Sequence, residues 1–185
     1  MQVQAGRYRG RKIRHLPSRD VRPCSSRVKK SLFDTVGARI DFEDIDVLDL
    51  FAGFGSLGFE ALSRGARSAC FVEQNRQALD TMKATAGDIG VTSMSRFVNA
   101  DVTAFLKREE GSYELVFCDP PYRWEDYESL IRAIIDGPML AEEGLLLMEH
   151  HSSRDFSLSH GYLFHKDYGT TRVSFFSHQP RHNEP

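Results

Sequence analysis

Short apolar runs alternate with helix-length segments along most of this chain. The runs lie at residues 46–51, 68–72, 96–99, 114–118 and 144–149. Between them, apolar residues recur at helical spacing, and this alternation predicts a doubly wound α/β fold with a parallel sheet. Two further runs, at 162–166 and 172–177, are separated by too few residues for a helix. They are expected to pair antiparallel and to complete a seven-stranded sheet.

The composition is typical of one globular domain with a short appendage. The chain has 185 residues, of which 41% are hydrophobic and 27% are charged, enough to bury a full central sheet. No apolar run approaches the ~20 residues that a membrane span needs, and no signal-peptide core follows the basic N-terminus. We expect a cytoplasmic monomer with no membrane association.

The cysteines and histidines suggest neither a disulfide framework nor a metal site. Cys24, Cys70 and Cys118 are far apart in sequence and form no CxxC pair. The seven histidines show no ligand spacing. His150 and His151 follow an apolar run, but surface or core roles fit them better than metal binding. We expect no metal.

Positive charge is concentrated at the N-terminus. Residues 1–30 hold seven Arg and three Lys against one Asp, a charge of +9, and the remaining residues carry −11. This asymmetry indicates that one end of the chain binds a polyanion, although a solvated charged surface is the alternative. Polar and apolar residues alternate around Gly6 and Gly10, which predicts a short hairpin, and an amphipathic helix is expected from residue 25 to about 39.

These features divide the chain into a basic extension, residues 1–40, and a second domain, residues 41–185. The extension is expected to contact nucleic acid through its exposed cations. The candidate residues are Arg7, Arg9, Arg11, Lys12, Arg22 and Arg27.

A glycine motif follows the first apolar run. Gly53, Gly55 and Gly58 spell GxGxxG between an apolar run and a helical segment, the setting in which this motif binds a nucleotide. Glycine lets the backbone approach a ligand and leaves N–H groups at a helix start to contact it. Glu73 ends the next run, 20 residues after Gly53, where a carboxylate can hold both hydroxyls of a ribose. The alternative for Glu73 is a surface acid at a strand end.

The spacing before the glycines indicates which nucleoside is bound. In nicotinamide-binding folds the first glycine usually follows the strand directly, whereas here Asp49-Leu50-Phe51-Ala52 intervenes. An acid, a short spacer and then glycines suit S-adenosylmethionine better. Asp101 either caps a helix or accepts a hydrogen bond from the adenine amino group. The other candidates for the cofactor site are Asp49, Phe51, Gln74, Val102 and Asp119.

The run at 114–118 ends abruptly in Asp119-Pro120-Pro121-Tyr122. The two prolines stiffen this turn, so the Asp119 side chain and the Pro120 carbonyl are held in place. An exocyclic amino group of a nucleobase is a poor nucleophile until its two hydrogens are drawn to acceptors. Asp119 and Pro120 can accept them while Tyr122 stacks on the base. The alternative is an ordinary rigid turn.

Together these motifs resemble the RsmD family. The residues that carry the resemblance are Asp49-Leu-Phe-Ala-Gly-Phe-Gly-Ser-Leu-Gly58, Glu60-Ala-Leu-Ser-Arg-Gly-Ala66, Glu73, Asp119-Pro-Pro-Tyr122, Gly6-Arg-Tyr-Arg-Gly-Arg-Lys-Ile13 and the segment from Arg22 to Phe33. The resemblance implies a Rossmann-like class I methyltransferase fold and methylation of a guanine N2 amino group in 16S ribosomal RNA. It also implies that the substrate is an assembling small ribosomal subunit.

Four positions depart from the pattern of that family. Its members commonly have Thr at position 24, acids at positions 26 and 30, and a small polar residue at position 54, where this chain has Cys24, Ser26, Lys30 and Phe54. Two rival functions stay open. One is a DNA methyltransferase acting on adenine N6 or cytosine N4, and the other is a non-catalytic RNA-binding ribosome assembly factor.

Overall fold

Seven strands form a single sheet in the computed structural model, which describes residues 1–16 and 26–178. The strands are β1 (Asp46–Leu50), β2 (Ser68–Val72), β3 (Ser95–Val98), β4 (Tyr113–Cys118), β5 (Leu140–His151), β6 (Tyr162–Tyr168) and β7 (Thr171–Phe176). The helices are α1 (Ser26–Gly37), α2 (Ser56–Arg64), α3 (Arg76–Ile89), α4 (Val102–Leu106) and α5 (Tyr127–Ile135), and a 3₁₀ turn covers Thr92–Met94.

The strand order across the sheet is β3-β2-β1-β4-β5-β7-β6. The first five strands run parallel, and β7 is antiparallel to both of its neighbours. The predicted doubly wound sheet with an antiparallel last pair is therefore confirmed. The order reverses between β1 and β4, and open α/β sheets bind their ligands beside the carboxyl ends of the strands at such a reversal.

Two apolar clusters cover the two faces of the sheet. One contains α1, α2 and α3, with buried Phe33, Phe59 and Met82, and the other contains α4 and α5, with buried Phe105 and Ile131. Strands covered on both faces are nearly continuous in apolar residues, as the sequence shows. Each such side chain contributes about 1.5–3 kcal/mol when fully buried, so both layers stabilise the strands that carry the site.

A glycine and a shift of strand register set the boundaries of two elements. Helix α3 continues through Gly87, because the left-handed residue that ends it is Gly90, with φ 87°. Strand β5 begins at Leu140 rather than at residue 144. Its register against β4 shifts between Tyr113 and Leu115, so the polar residues before Gly144 lie in an irregularity of the strand.

The N-terminal residues form a curled hairpin, as expected. Gln2 and Lys12 pair as an antiparallel bridge, and the Val3 amide donates to the Arg11 carbonyl at 3.0 Å. Val3 and Ile13 are buried in the same cluster as α1, α2 and α3. The division at residue 40 stays a prediction, with the hairpin packed on the core of the larger part.

Glu60 of α2 fastens this hairpin. Its carboxylate accepts hydrogen bonds from the amides of Gln4, at 2.8 Å, and Ala5, at 3.0 Å. Glu60 is fully buried and lies 3.3 Å from Lys29 Nζ, which also donates to the Gln2 carbonyl. In the described ranges, no helix is long and apolar enough to cross a membrane.

Candidate active site

Acidic residues lie at or near the carboxyl ends of four neighbouring strands, β1, β2, β4 and β5. The register places Phe71, Asp49, Phe117 and Leu147 side by side across β2, β1, β4 and β5. Because side chains alternate along a strand, residues two positions further point to the same face. On β2, β4 and β5 those residues are Glu73, Asp119 and Glu149. The predicted cofactor acid and the predicted catalytic acid therefore lie along one edge.

A tight turn joins β1 to α2. Phe51, Gly53 and Gly55 have φ values of 57°, 56° and 75°. Glycine adopts this left-handed region easily, whereas Phe51 is strained there. A Cβ on Gly58 would lie 2.3 Å from the Phe71 ring, so this glycine lets α2 pack closely on β2. The glycine motif thus shapes both the turn and the helix that follows.

The start of α2 offers free donors to a ligand. The backbone N–H groups of Phe54, Ser56 and Leu57 have no hydrogen-bond partner within the described part of the chain. Such groups favour a carboxylate, while the acids along the sheet edge favour a cation. S-adenosylmethionine carries both a carboxylate and a sulfonium, so this donor set fits it.

Asp49 lies beneath the turn. Its side chain is buried and accepts a hydrogen bond from the Gly58 amide at 3.0 Å. Burial, with smaller effects from the charges of Asp119 and Glu73, raises the pKa of Asp49 to about 8. Asp49 therefore holds the start of α2 from inside the protein, and any contact with the cofactor stays a prediction.

Glu73 closes the other side of the turn. One carboxylate oxygen accepts from the Gly53 amide at 2.9 Å and the other from the Asn75 amide at 2.7 Å. Each oxygen keeps a second lone pair for a ribose hydroxyl. Asn99 donates to the carbonyls of Glu73 and Gln74, both at 2.9 Å, and so fixes the end of β2 to the end of β3. The Gln74 side chain is exposed.

Asp101 is the N-cap of α4. One of its oxygens, Oδ1, accepts hydrogen bonds from the Ala104 amide and the Thr103 hydroxyl, and these contacts lower the pKa of Asp101. The capping alternative is therefore observed. Binding of an adenine amino group by this carboxylate stays a prediction. Val102, the next residue, is buried against the core.

Two hydrogen-bond acceptors after β4 are unpartnered. Among the described residues, no group donates a hydrogen bond to the Asp119 carboxylate or to the Pro120 carbonyl. Tyr122 is 84% exposed, and its ring meets His151 edge-on at a centroid distance of 6.1 Å. The turn is closed by the Trp124 amide, which donates to the Pro121 carbonyl at 2.7 Å. Two acceptors thus lie beside an open aromatic face.

Asp119 and Glu149 affect each other's protonation. Solvent reaches Asp119, but protein surrounds its carboxyl group closely enough that lost hydration raises its pKa. Burial and then the charge of Asp119 raise the pKa of Glu149. Because two adjacent carboxylates repel each other when both are ionised, the pair keeps a proton to higher pH than either acid alone.

Two residues of this site were not predicted from the sequence. Glu149 ends the apolar run at 144–148 just as Asp119 ends the run at 114–118, and that parallel could have identified it. Trp124 packs edge-on against the strained Phe51, with ring centroids 5.2 Å apart. No motif in the sequence distinguishes this tryptophan from one in an ordinary core.

The basic residues of the extension differ in their surroundings. Arg7, Arg9 and Lys12 are exposed on the hairpin. Arg11 is exposed too, but its guanidinium donates to the Asp88 carbonyl. Arg27 lies on α1 and lines a surface groove with other cations, namely Lys30, Arg39 and Lys166. Arg22 lies outside the described residues.

The departures from the family pattern lie away from Asp119. Lys30 forms an exposed ion pair with Asp34 at 2.7 Å, and Phe54 is buried at the turn with its ring edge-on to His15. Cys24 and the Ser26 side chain lie outside what the structure describes. His150 is buried and bonded to the Ser174 hydroxyl at 2.8 Å, which is a core role.

Comparisons with known proteins match nearly the whole chain. The profile of a family described as conserved hypothetical protein 95 matches residues 1–177. Ribosomal RNA small subunit methyltransferase D of Escherichia coli K12 is 34% identical over 149 residues, 80% of this chain and 74% of that protein. The protein of the same name from Haemophilus influenzae is 30% identical over 182 residues, 97% and 93% of the two chains. The solved structure of yhhF from Escherichia coli superposes with a TM-score of 0.85 at 28% identity, covering 97% of this chain and 99% of that one.

Proposed function

The chain belongs to the RsmD family, whose profile is described as conserved hypothetical protein 95, and we propose that it methylates the N2 amino group of a guanine in 16S ribosomal RNA. It is an S-adenosylmethionine-dependent methyltransferase by family and by fold. The observation that carries the proposal is a pair of acceptors, Asp119 and the Pro120 carbonyl, that have no donor among the described residues and lie beside exposed Tyr122.

The bound cofactor supplies the methyl group: the sulfur–methyl bond breaks with its electron pair left on sulfur, and a bond from carbon to guanine N2 forms. Asp119 and the Pro120 carbonyl accept hydrogen bonds from the two N2–H groups, and this directs the nitrogen lone pair toward the methyl group. The proton that N2 loses passes to Asp119 or to solvent. Holding the amine and the methyl group in line lowers the activation free energy by up to ~7–11 kcal/mol in favourable systems.

The base must leave its stack to reach Asp119. Unstacking costs a few kcal/mol, and stacking on an aromatic side chain returns ~1–3 kcal/mol per base. Tyr122 is exposed and offers such a face. Arg7, Arg9 and Lys12 of the hairpin are exposed, and in this proposal they hold RNA phosphates. Arg11, Arg22 and Arg27 complete the proposed RNA-binding set.

Cofactor binding is assigned to the turn and strand ends already described. In this proposal the glycines of the turn lie against the methionine end, Glu73 holds the ribose, and Asp101 with Val102 and Gln74 surrounds the adenine. Phe51 and Asp49 support the turn. We further propose that the substrate is an assembling small ribosomal subunit, since 16S RNA belongs to that subunit. We also propose that the protein acts in the cytoplasm and as a monomer.

The test offers a labelled methyl donor separately to unmethylated small subunits, to 16S RNA and to DNA. We expect label in the RNA of the subunits, as N2-methylguanosine. Asp119→Ala should bind the cofactor normally in a thermal-shift assay and lose at least ~100-fold in transfer, since it removes a group that acts on the reacting nitrogen. Asp80→Ala, which removes an exposed carboxylate of α3, is the matched control.

Other outcomes would point to the rival functions. Label in DNA adenine or cytosine would replace the proposal with the DNA methyltransferase. Failure to bind S-adenosylmethionine while still binding RNA would favour the assembly factor. Unchanged turnover in Asp119→Ala would remove Asp119 from the mechanism.

A further inference from the structure

Glu149 lies beside the proposed catalytic acid on the next strand. Cys118 of β4 pairs with Met148 of β5, so Asp119 and Glu149 are the next residues along two parallel strands, which lie about 4.8 Å apart. Asp119 follows Phe117 by two positions and Glu149 follows Leu147 by two, so both side chains point to the face covered by α1, α2 and α3. The two carboxyl groups therefore face the same space.

The Glu149 carboxylate has no structural task that accounts for it. In residues 1–16 and 26–178 it has no hydrogen-bond donor and no ion-pair partner. It is only half-buried, so part of the side chain remains open to a ligand. Its oxygens therefore remain available to accept a hydrogen bond from a substrate group that enters beside Asp119.

The position of Tyr122 places a stacked base within reach of Glu149. The Tyr122 ring contacts His151, which lies two residues beyond Glu149 on β5 and so on the same face of the strand. The exposed Tyr122 ring thus lies against the end of β5 and three residues after Asp119 in the same turn. A base on Tyr122 would present its edge to both carboxylates.

The edges of the bases differ in the atom next to the amino group. In guanine the ring nitrogen N1 beside the N2 amine carries a hydrogen and is a donor. In adenine and cytosine the ring nitrogen beside the amine carries no hydrogen and is an acceptor. An ionised carboxylate accepts only, so it pairs with guanine and repels the other two bases at this position.

We propose that Glu149 determines base specificity by accepting the N1–H of the target guanine while Asp119 and the Pro120 carbonyl hold its N2 amine. This inference rests on the proposed function and deepens it, because it assigns the choice of guanine to one residue. Glu149 touches the base but takes no part in bond making. The raised pKa of Glu149 agrees with an acid that is protonated in the free enzyme. It would lose this proton when the base brings a hydrogen-bond donor and the cofactor brings a positive sulfonium, since both favour the ionised form.

The test uses 2-aminopurine, which keeps the amine of guanine but has an unprotonated N1. Mass analysis first locates the guanine that the wild-type enzyme methylates in reconstituted small subunits. Subunits are then rebuilt with guanine or 2-aminopurine at that position, and transfer rates are compared. We expect the wild type to prefer guanine by ~100-fold or more, because a site built around one hydrogen bond strongly rejects an analogue that lacks it.

Glu149→Gln should lower that preference at least ~10-fold, since an amide can donate to the N1 of 2-aminopurine. Glu149→Asp, which keeps the carboxylate, should retain a preference for guanine. Glu143→Gln, an exposed acid on the same strand, is the matched control and should leave the ratio unchanged. If Glu149→Gln turns over too slowly, the ratio of the two affinities is measured with S-adenosylhomocysteine, using the fluorescence of 2-aminopurine in competition with the guanine substrate.

A Glu149→Gln ratio equal to that of the wild type, by rate or by affinity, overturns the inference while leaving the methyltransferase intact. Failure of the wild type to methylate any guanine overturns the proposed function instead. The two failures are therefore separate observations. A purely structural role for Glu149 would lower both rates together and leave their ratio unmoved.

Discussion

At the scale of single residues, Asp49 couples the fold to pH. Its carboxyl is buried with one amide donor, and its pKa is raised to about 8 from the ordinary value of 3.8. The folded state therefore holds a proton that the unfolded state releases above pH 4. Stability is lost as the pH rises through this window, because ionisation favours the unfolded chain.

Asp49→Asn should remove this loss. The amide oxygen can still accept from Gly58, and no charge has to be buried at high pH. We expect the variant to be about 1–3 kcal/mol more stable than the wild type at pH 8.5, with a smaller difference at pH 5. Urea unfolding without cofactor at both pH values measures it. A difference that does not change with pH would show that Asp49 is not buried as an acid.

The raised pKa values of Asp119 and Glu149 lead to a second prediction at the residue scale, for the pH dependence of methyl transfer. Both pKa values are raised, and both groups act as acceptors only when ionised. The value of kcat/KM should therefore rise with pH in two steps, between about pH 6 and pH 8, as the pair loses its protons. Glu149→Gln removes one step, so its profile should reach a plateau at lower pH.

That profile is measured with saturating cofactor from pH 5.5 to 9, and Glu143→Gln serves as the control. Other titratable groups near the pair are Asp49, Cys118 and Tyr127, so the comparison between variants matters more than the absolute midpoint. The same upper step in the wild type and in Glu149→Gln would assign it to one of these groups.

At the scale of elements, a buried carboxylate joins the hairpin to the sheet. Glu60 of α2 accepts hydrogen bonds from two backbone amides of the hairpin and forms an ion pair with buried Lys29 of α1. Lys29 also reaches the hydroxyl of Ser56, the first residue of the helix that follows the glycine turn. Hairpin, α1 and the cofactor turn therefore share one buried ion pair.

Glu60→Ala should destabilise the protein by about 3–5 kcal/mol, because the ammonium of Lys29 would remain buried without the carboxylate that neutralises it. Chemical unfolding measures the loss, and Glu142→Ala, an exposed acid, should cost less than about 0.5 kcal/mol. Adding Lys29→Met should recover part of the loss, since the buried ammonium is then removed together with the carboxylate, although Arg64 still lacks its pairing with Glu60. Equal stability of Glu60→Ala and the control would mean that this pair does not hold the hairpin.

Element by element, the sequence predicts what depends on local pattern. The strand that precedes Asp119, the glycine turn and the antiparallel last pair all have signals within a few residues, and all were found. The early start of β5 depends on a shifted register against β4, which no local pattern encodes. Glu149 depends on the order of the strands, because it joins the site only when β5 lies next to β4. Trp124 likewise enters the site through a tertiary contact with Phe51.

At the scale of the whole molecule, charge is distributed unevenly along the chain. Residues 1–30 carry +9 and the remainder −11, while the acids of the site cluster at the carboxyl ends of the strands. A polyanion meets the basic hairpin, whereas a cationic sulfonium suits the acidic edge. RNA affinity and cofactor affinity should therefore respond to separate substitutions.

Reversing the charge of Arg7, Arg9 and Arg11 to Glu should weaken RNA binding without changing cofactor affinity. The slope of log affinity against log salt should fall by ~0.7 for each lost phosphate contact with single-stranded RNA. Filter binding across a salt series measures the slope, and calorimetry measures the cofactor. The matched control reverses Lys107, Arg108 and Arg132, which are exposed on the opposite layer of helices. Because both triplets change the net charge equally, a loss common to both would reflect total charge, whereas a loss confined to the hairpin would identify it as the RNA-binding surface.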